Sequence, residues 1–169
     1  MLLKHWLVPN VSIGLTTFAL TQILLLVSYR CAIASSLNWQ KAGSVAPDGL
    51  LQQLFKENFS QPRTQFNPQK MGIMKISGQK YPLYVIDPKS NSLCGAAGCA
   101  YFGYIPRSNG YQQVFNIYLN PNLPPNVPLI TADSKVTNGL PCLNFSQVQN
   151  ARLHVVRWCY NGQKYTPVR

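Results

Sequence analysis

The feature that most constrains this chain is a short cysteine loop, Cys94-Gly95-Ala96-Ala97-Gly98-Cys99, set between two strand-like runs. Leu83-Tyr84-Val85-Ile86 precedes it and Tyr101 to Ile105 follows. The turn Pro106-Arg107-Ser108-Asn109-Gly110 then leads into a third run, Tyr111 to Leu119. Apolar and polar residues alternate in parts of these runs, as half-buried strands require. Glycines stand just inside both cysteines, so the loop reads as a disulfide staple crossing from one strand to the next, with Gly95 and Gly98 supplying backbone angles that a β-carbon would strain.

The amino-terminal segment bears on the redox state of those thiols. Lys4 and His5 precede an apolar stretch from about Val11 to Val27, and Ala32 and Ala34 fit the small-residue pockets of signal peptidase. Residues 1–34 therefore read as a secretory signal peptide cleaved before Ser35, the rival being an uncleaved anchor spanning residues 11–29. Export to the periplasm or outside the cell is expected in the first case, and a β domain displayed from a membrane in the second. Loss of Cys31 with the signal leaves Cys94, Cys99, Cys142 and Cys159, an even set in an exported chain. Four cysteines allow three pairings. The favoured one is 94–99 with 142–159, because a hairpin folding back around Gln147 to Ala151 sets 142 opposite 159. The competing zinc site is disfavoured, since zinc knuckles show closer cysteine pairs and an oxidising compartment disfavours free thiols.

The mature chain begins with a polar lead-in, Ser35 to Val45. Pro47 and Asp48 suit a helix start, and Leu50, Leu51, Leu54 and Phe55 follow at helical spacing, predicting an amphipathic helix over Pro47 to Asn58 that covers a sheet. Ser60 to Lys70 reads as a connector, completing a lead-in, helix and linker over 35–70. From Met71 the pattern is almost wholly β, giving a disulfide-stapled β domain over 71–169. Met71 to Ile76 and Pro82 to Ile86 flank a hairpin-type turn at Ser77-Gly78-Gln79-Lys80. Asn120 to Pro128 holds four prolines, which excludes a helix interior and a central strand. Leu129 to Thr131 reads as a brief strand and Thr137 to Pro141 as a turn. Asn161-Gly162 between Leu153–Tyr160 and Gln163–Val168 is the strongest hairpin signal, because both residues tolerate positive φ. The predicted class is α+β: a mainly antiparallel meander of hairpins with one short helix and two disulfides.

Charge then bears on function. Fifteen basic residues face four acidic ones, Asp48, Glu57, Asp87 and Asp133. This balance favours anionic partners such as a glycan, a cell-wall polymer or an acidic protein. The basic residues are scattered singly, which argues against the clustered face that nucleic acid needs. The four acids are too dispersed for a carboxylate pair, and no phosphate-cradling loop or nucleophile elbow occurs. His154 shares a strand face with Val156 and Trp158 and reads as structural. The Cys94–Cys99 spacing is wider than that of thiol oxidoreductases. No catalytic residue, metal ligand or cofactor site is therefore expected. The tyrosines read first as core or rim, filling half-buried sheet positions; the alternative, since tyrosines also stack on sugar rings, is a binding surface drawn from Tyr101, Tyr104, Arg107, Tyr111, Arg157 and Tyr160.

The C-G-x-x-G-C run, Cys94 to Cys99, resembles small exported bacterial proteins that bear this signature. A later Asn138-Gly139-Leu140-Pro141-Cys142-Leu143 and a final Trp158 to Tyr165 correspond to their closing turns, with one extra residue between Trp158 and Gly162. The resemblance covers about Met71 to Val168 and implies a periplasmic β-rich fold. Where many such proteins carry an acidic turn, this chain has Ser77-Gly78-Gln79-Lys80, which argues against calcium. Two function classes stand: a non-catalytic envelope module holding an anionic partner on a basic, tyrosine-rich surface, and a purely structural or assembly component, pilin-like and without a ligand.

Overall fold

The computed structural model describes residues 37–59 and 67–168; the amino-terminal signal or anchor segment and part of the connector lie outside them. The chain runs β1 (Gln40–Lys41), α1 (Ala42–Val45), α2 (Leu50–Asn58), β2 (Gly72–Ile76) and β3 (Leu83–Asp87). It continues through β4 (Cys94–Gly95), β5 (Gly98–Arg107), β6 (Gly110–Leu119), β7 (Ile130–Thr137), β8 (Leu140–Gln149), β9 (Arg152–Tyr160) and β10 (Tyr165–Pro167). A six-stranded antiparallel sheet has the order β1-β2-β3-β5-β4, with β6 on the other side of β5. A four-stranded sheet has the order β10-β9-β8-β7. The predicted α+β class, mainly antiparallel with a short amphipathic helix near the amino terminus of the domain, is the observed one, with the single turn α1 added before that helix.

The strand period divides the core in two. Leu83 and Val85 of β3 join Met74, Ile76, Tyr101, Ile105 and Phe115 in an apolar layer between the sheets, closed by Leu140, Leu143, Phe145 and Tyr165. Tyr84 and Ile86 point the other way, with Ile73, Phe102 and Tyr104, and are covered by Leu50, Leu54 and Phe55 of α2. The apolar stripe of that helix covers the sheet, as its spacing predicts. The helix starts later than expected, at Leu50. Pro47 and Asp48 lie in a preceding turn, closed by the Leu50 N–H on the Pro47 carbonyl at 3.2 Å, and Gly49 enters the helix with φ 78°. The stretch read as a loose lead-in is docked as well: Gln40 and Lys41 pair with Ile73 and Gly72, and Ala42 is buried.

Both expected disulfides are present, Cys94–Cys99 and Cys142–Cys159. The β8–β9 register pairs Leu143 with Trp158 and Gln149 with Arg152, so 142 does fall opposite 159. The turn itself is tighter than Gln147–Ala151. Only Asn150 and Ala151 form it, at φ 51° and 59°. Asn138-Gly139, at φ 50° and 86°, makes a similar two-residue turn, whereas the Asn161-Gly162 hairpin closes through four residues. There the Asn161 side chain accepts the N–H groups of Gln163 and Lys164, both at 2.9 Å, and only Gly162 takes positive φ. Strand β7 runs on to Thr137, well past the brief strand expected at 129–131. It is an edge strand with a register shift between Ala132 and Val136, and its polar, largely exposed face gives no apolar signal.

The Cys94–Cys99 staple lies at the rim, where Cys94 is exposed and its hairpin partner half-buried. Replacing both cysteines with serine should lower stability by about 2 kcal/mol in the chain-entropy model and leave the fold in place. Denaturant unfolding of the double variant measures this. Loss of the native near-ultraviolet spectrum without denaturant would refute a purely local staple.

Candidate functional site

The six residues expected to build a binding surface do not share one. Tyr101 and Tyr104 are 2% and 0% exposed and lie on opposite faces of the larger sheet. Tyr160 is 1% exposed. Tyr111 is half-buried against Tyr84, ring centroids 6.2 Å apart, and its main chain is clamped by Gln53 of α2. Arg157 stands on β9 with its guanidinium 2.8 Å from the Asp133 carboxylate. Tyr101, Tyr104 and Tyr160 thus present no ring to solvent, in keeping with the core reading of the tyrosines. Tyr101 and Tyr104 are core because the larger sheet is covered on both sides, and Tyr160 enters the layer with Tyr101 from the smaller sheet; a bulky amphipathic side chain gains most by burying its ring and bonding its hydroxyl.

The buried hydroxyls of Tyr104, Tyr101 and Tyr165 meet specific partners. Tyr104 donates to Glu57 Oε2 at 2.9 Å and accepts from Asn58 Nδ2 at 2.7 Å and Gln113 Nε2 at 3.1 Å. This network ties α2 to β5 and β6. Burial first, then the Glu57 carboxylate, pushes the Tyr104 phenol well above its ordinary value. Tyr101 is raised in the same way, by burial and then by the neighbouring Asp87. Asp87 is itself buried and held by Lys89, whose N–H donates at 2.9 Å and whose Nζ lies 2.7 Å away. Tyr165 donates to the Pro141 carbonyl at 2.7 Å. Phenols raised in this way stay neutral at ordinary pH and serve as hydrogen-bonding struts.

Arg107 and Tyr160 do come together, at one pole of the domain where four turns converge. Arg107 leaves the end of β5 with its guanidinium 4.7 Å from the Tyr81 ring centre, donates to Tyr160 Oη at 2.8 Å and to Gln112 Oε1 at 2.8 Å. Tyr160 Oη donates on to the Gly162 carbonyl at 2.6 Å, and Gln112 Nε2 to that of Gln163 at 2.9 Å. The Ser77–Lys80 turn joins through the Gln79 N–H on the Gly139 carbonyl at 2.8 Å, and Asn138 donates to the Tyr160 carbonyl at 2.9 Å. A planar guanidinium with several fixed donors suits such a junction. Lys75, Lys80 and Lys164 stand exposed around this pole. A shallow hollow of about 240 Å³ lies between Lys75, Lys80 and Tyr81. Sequence reasoning named Arg107 and Tyr160 but missed Tyr81 and Gln112, which only the convergence of turns distant in sequence brings into the cluster.

A second distinctive region is the β8–β9 hairpin, which runs on beyond the core. His154 is exposed rather than packed, and Leu153, Val155 and Val156 are 46%, 58% and 38% exposed. At its base an open groove of about 480 Å³ is lined by Tyr118, Phe145, Val156 and Trp158. Among the described residues no group of three or more histidine, cysteine or acidic side chains is placed to hold a metal ion, and all four cysteines there are in disulfides. No family model, curated protein or solved structure matches this chain.

Proposed function

We propose that this is an exported, non-catalytic module that holds an acidic protein partner on a basic surface. The observation that carries the reading is the disposition of charge. Of the four acidic side chains, Asp87 is buried against Lys89 and Asp133 is paired with Arg157, while Asp48 and Glu57, the latter accepting the Tyr104 phenol, stand exposed. Lys75, Lys80 and Lys164 meanwhile face solvent around the Arg107 pole. The excess of fifteen basic over four acidic residues leaves a positive field at the surface, which steers an acidic partner during approach. The two disulfides are consistent with an oxidising compartment. An acidic protein is favoured over an anionic glycan because Tyr101, Tyr104 and Tyr160, three rings of the expected stacking set, are inside.

Immobilised polyglutamate is a suitable probe. Binding should be readily detected at about 0.01 M salt and fall steeply by about 0.15 M, as the screening length contracts from about 30 Å to about 8 Å. The triple variant Lys75→Glu, Lys80→Glu, Lys164→Glu should lose most of the low-salt binding while keeping its thermal unfolding transition. Failure of the parent protein to bind at low salt would sink this reading in favour of the purely structural, pilin-like role.

A further inference from the structure

We propose that the free edge of β9, from Arg152 to Val156, is a docking strand for an extended segment of a partner protein in which acidic and apolar residues alternate. The proposal rests on the acidic-partner reading and adds where and how such a partner is held. The hairpin register fixes the geometry. With Asn150 and Ala151 as a two-residue turn, Gln149 and Arg152 close the ladder, and the pairs 147–154 and 145–156 are the next hydrogen-bonded rungs. The intervening residues Leu153, Val155 and Arg157 therefore turn their N–H and C=O groups away from β8. The phase is confirmed at Arg157, whose carbonyl accepts the Val168 N–H at 2.8 Å on that outer side. Strand β10 pairs only with Trp158, Cys159 and Tyr160. Among the described residues, the outward groups of Leu153 and Val155 thus meet no neighbouring strand.

An edge of this kind is ordinarily blunted by lysine, proline or a bulge. Here the outward positions are Leu153 and Val155, 46% and 58% exposed, and the β8–β9 register is unbroken. The opposite face of the same stretch carries exposed Arg152 and His154. A strand added to this edge would set apolar side chains beside Leu153 and Val155, and carboxylates beside the Arg152 guanidinium and the His154 ring. Main-chain bonds would provide affinity and the alternation specificity, as in other cases of strand addition. A second copy of this chain fits poorly. Symmetric pairing about His154 would place both copies' Arg152 and His154 on one face, in a chain of net charge +11.

The test uses the domain with three synthetic ten-residue peptides: alternating valine and glutamate, alternating valine and lysine, and a block arrangement of the valine–glutamate composition. Amide hydrogen exchange reads the site. In the free protein His154 and Val156 should be protected and Leu153 and Val155 should exchange fast. The alternating acidic peptide should slow Leu153 and Val155 and bind at least about tenfold more tightly than either control. Val155→Pro removes one outward N–H without breaking a β8 rung and should weaken binding about tenfold or more. Its thermal transition and the His154 protection report that the hairpin is intact. Four results would overturn the proposal: unchanged exchange at Leu153 and Val155 on binding; equal affinity for the lysine peptide; protection of both amides in a dimer without peptide; or full affinity of the proline variant. Binding that moves only Lys75, Lys80 and Lys164 signals would leave the acidic-partner reading standing and remove this site. Absence of binding by any acidic probe would remove both.

Discussion

Gly98→Val should destabilise the domain by about 3 kcal/mol or more, far beyond what its place at the rim implies. Gly98 holds φ 106°, a conformation in which a β-branched residue is strained. Its α-carbon also lies against the end of β6. A β-carbon there would sit 2.6 Å from the Asn120 nitrogen and closer still to the Leu119 carbonyl group. Those are backbone atoms, so relief requires moving the chain where Cys99 pairs with Leu119. Gly95, its partner across the same small hairpin, is the internal control. No atom lies within 4 Å of the β-carbon it would carry, and its φ is not positive. Gly95→Val should therefore fall within about 0.5 kcal/mol of the parent. Denaturant unfolding of both variants separates the readings, and equal losses at 95 and 98 would refute the close-approach account. The expectation that both glycines relieve strain holds only at Gly98.

What could be read from the sequence here was local. Cysteine spacing, turn residues and a hairpin register involve neighbours along the chain, and they place both disulfides and the Cys142–Cys159 pairing. The long apolar run of β5 was equally legible as a strand. Which face its tyrosines take was not, because β5 is covered on one side by α2 and on the other by the smaller sheet. Residues 100 to 105 are all buried as a result, and alternation ceases to mark an outer face. Core or rim was legible for these tyrosines, but not that Tyr101 and Tyr104 would be struts to opposite layers. β7 failed to show for the opposite reason. Asp133-Ser134-Lys135 lies on an exposed edge where nothing apolar is required, so its composition resembles a loop. The Asn161 side chain illustrates a third limit. An Asn-Gly pair permits a two-residue turn, but the Asn amide also bonds locally, and at 161–164 that alternative wins.

The deepest dependence in the fold lies between Gly103 and Phe115, which face each other across β5 and β6. A β-carbon on Gly103 would lie 2.6 Å from Phe115 Cζ and nearer still to other ring carbons. The phenyl ring occupies the space a side chain would fill, and from there it packs edge-on to Phe145 at 5.8 Å and Tyr165 at 5.7 Å in the smaller sheet. The β-bulge beside it, where Tyr104 pairs with Gln113 and Val114 is passed over, lets Val114 and Phe115 both enter the same core. Gly103→Ala should then cost about 1–3 kcal/mol by overpacking, although alanine is the smallest side chain. Phe115→Leu should cost about 1–3 kcal/mol by leaving a partial cavity and losing the edge-on aromatic contacts. Together the two changes should cost less than their sum by about 1 kcal/mol, because the shorter leucine opens room for the new methyl group. A double-mutant cycle from denaturant unfolding measures that coupling. Additivity within about 0.3 kcal/mol would mean that ring and glycine do not share the space, and that the junction between the sheets rests on other contacts.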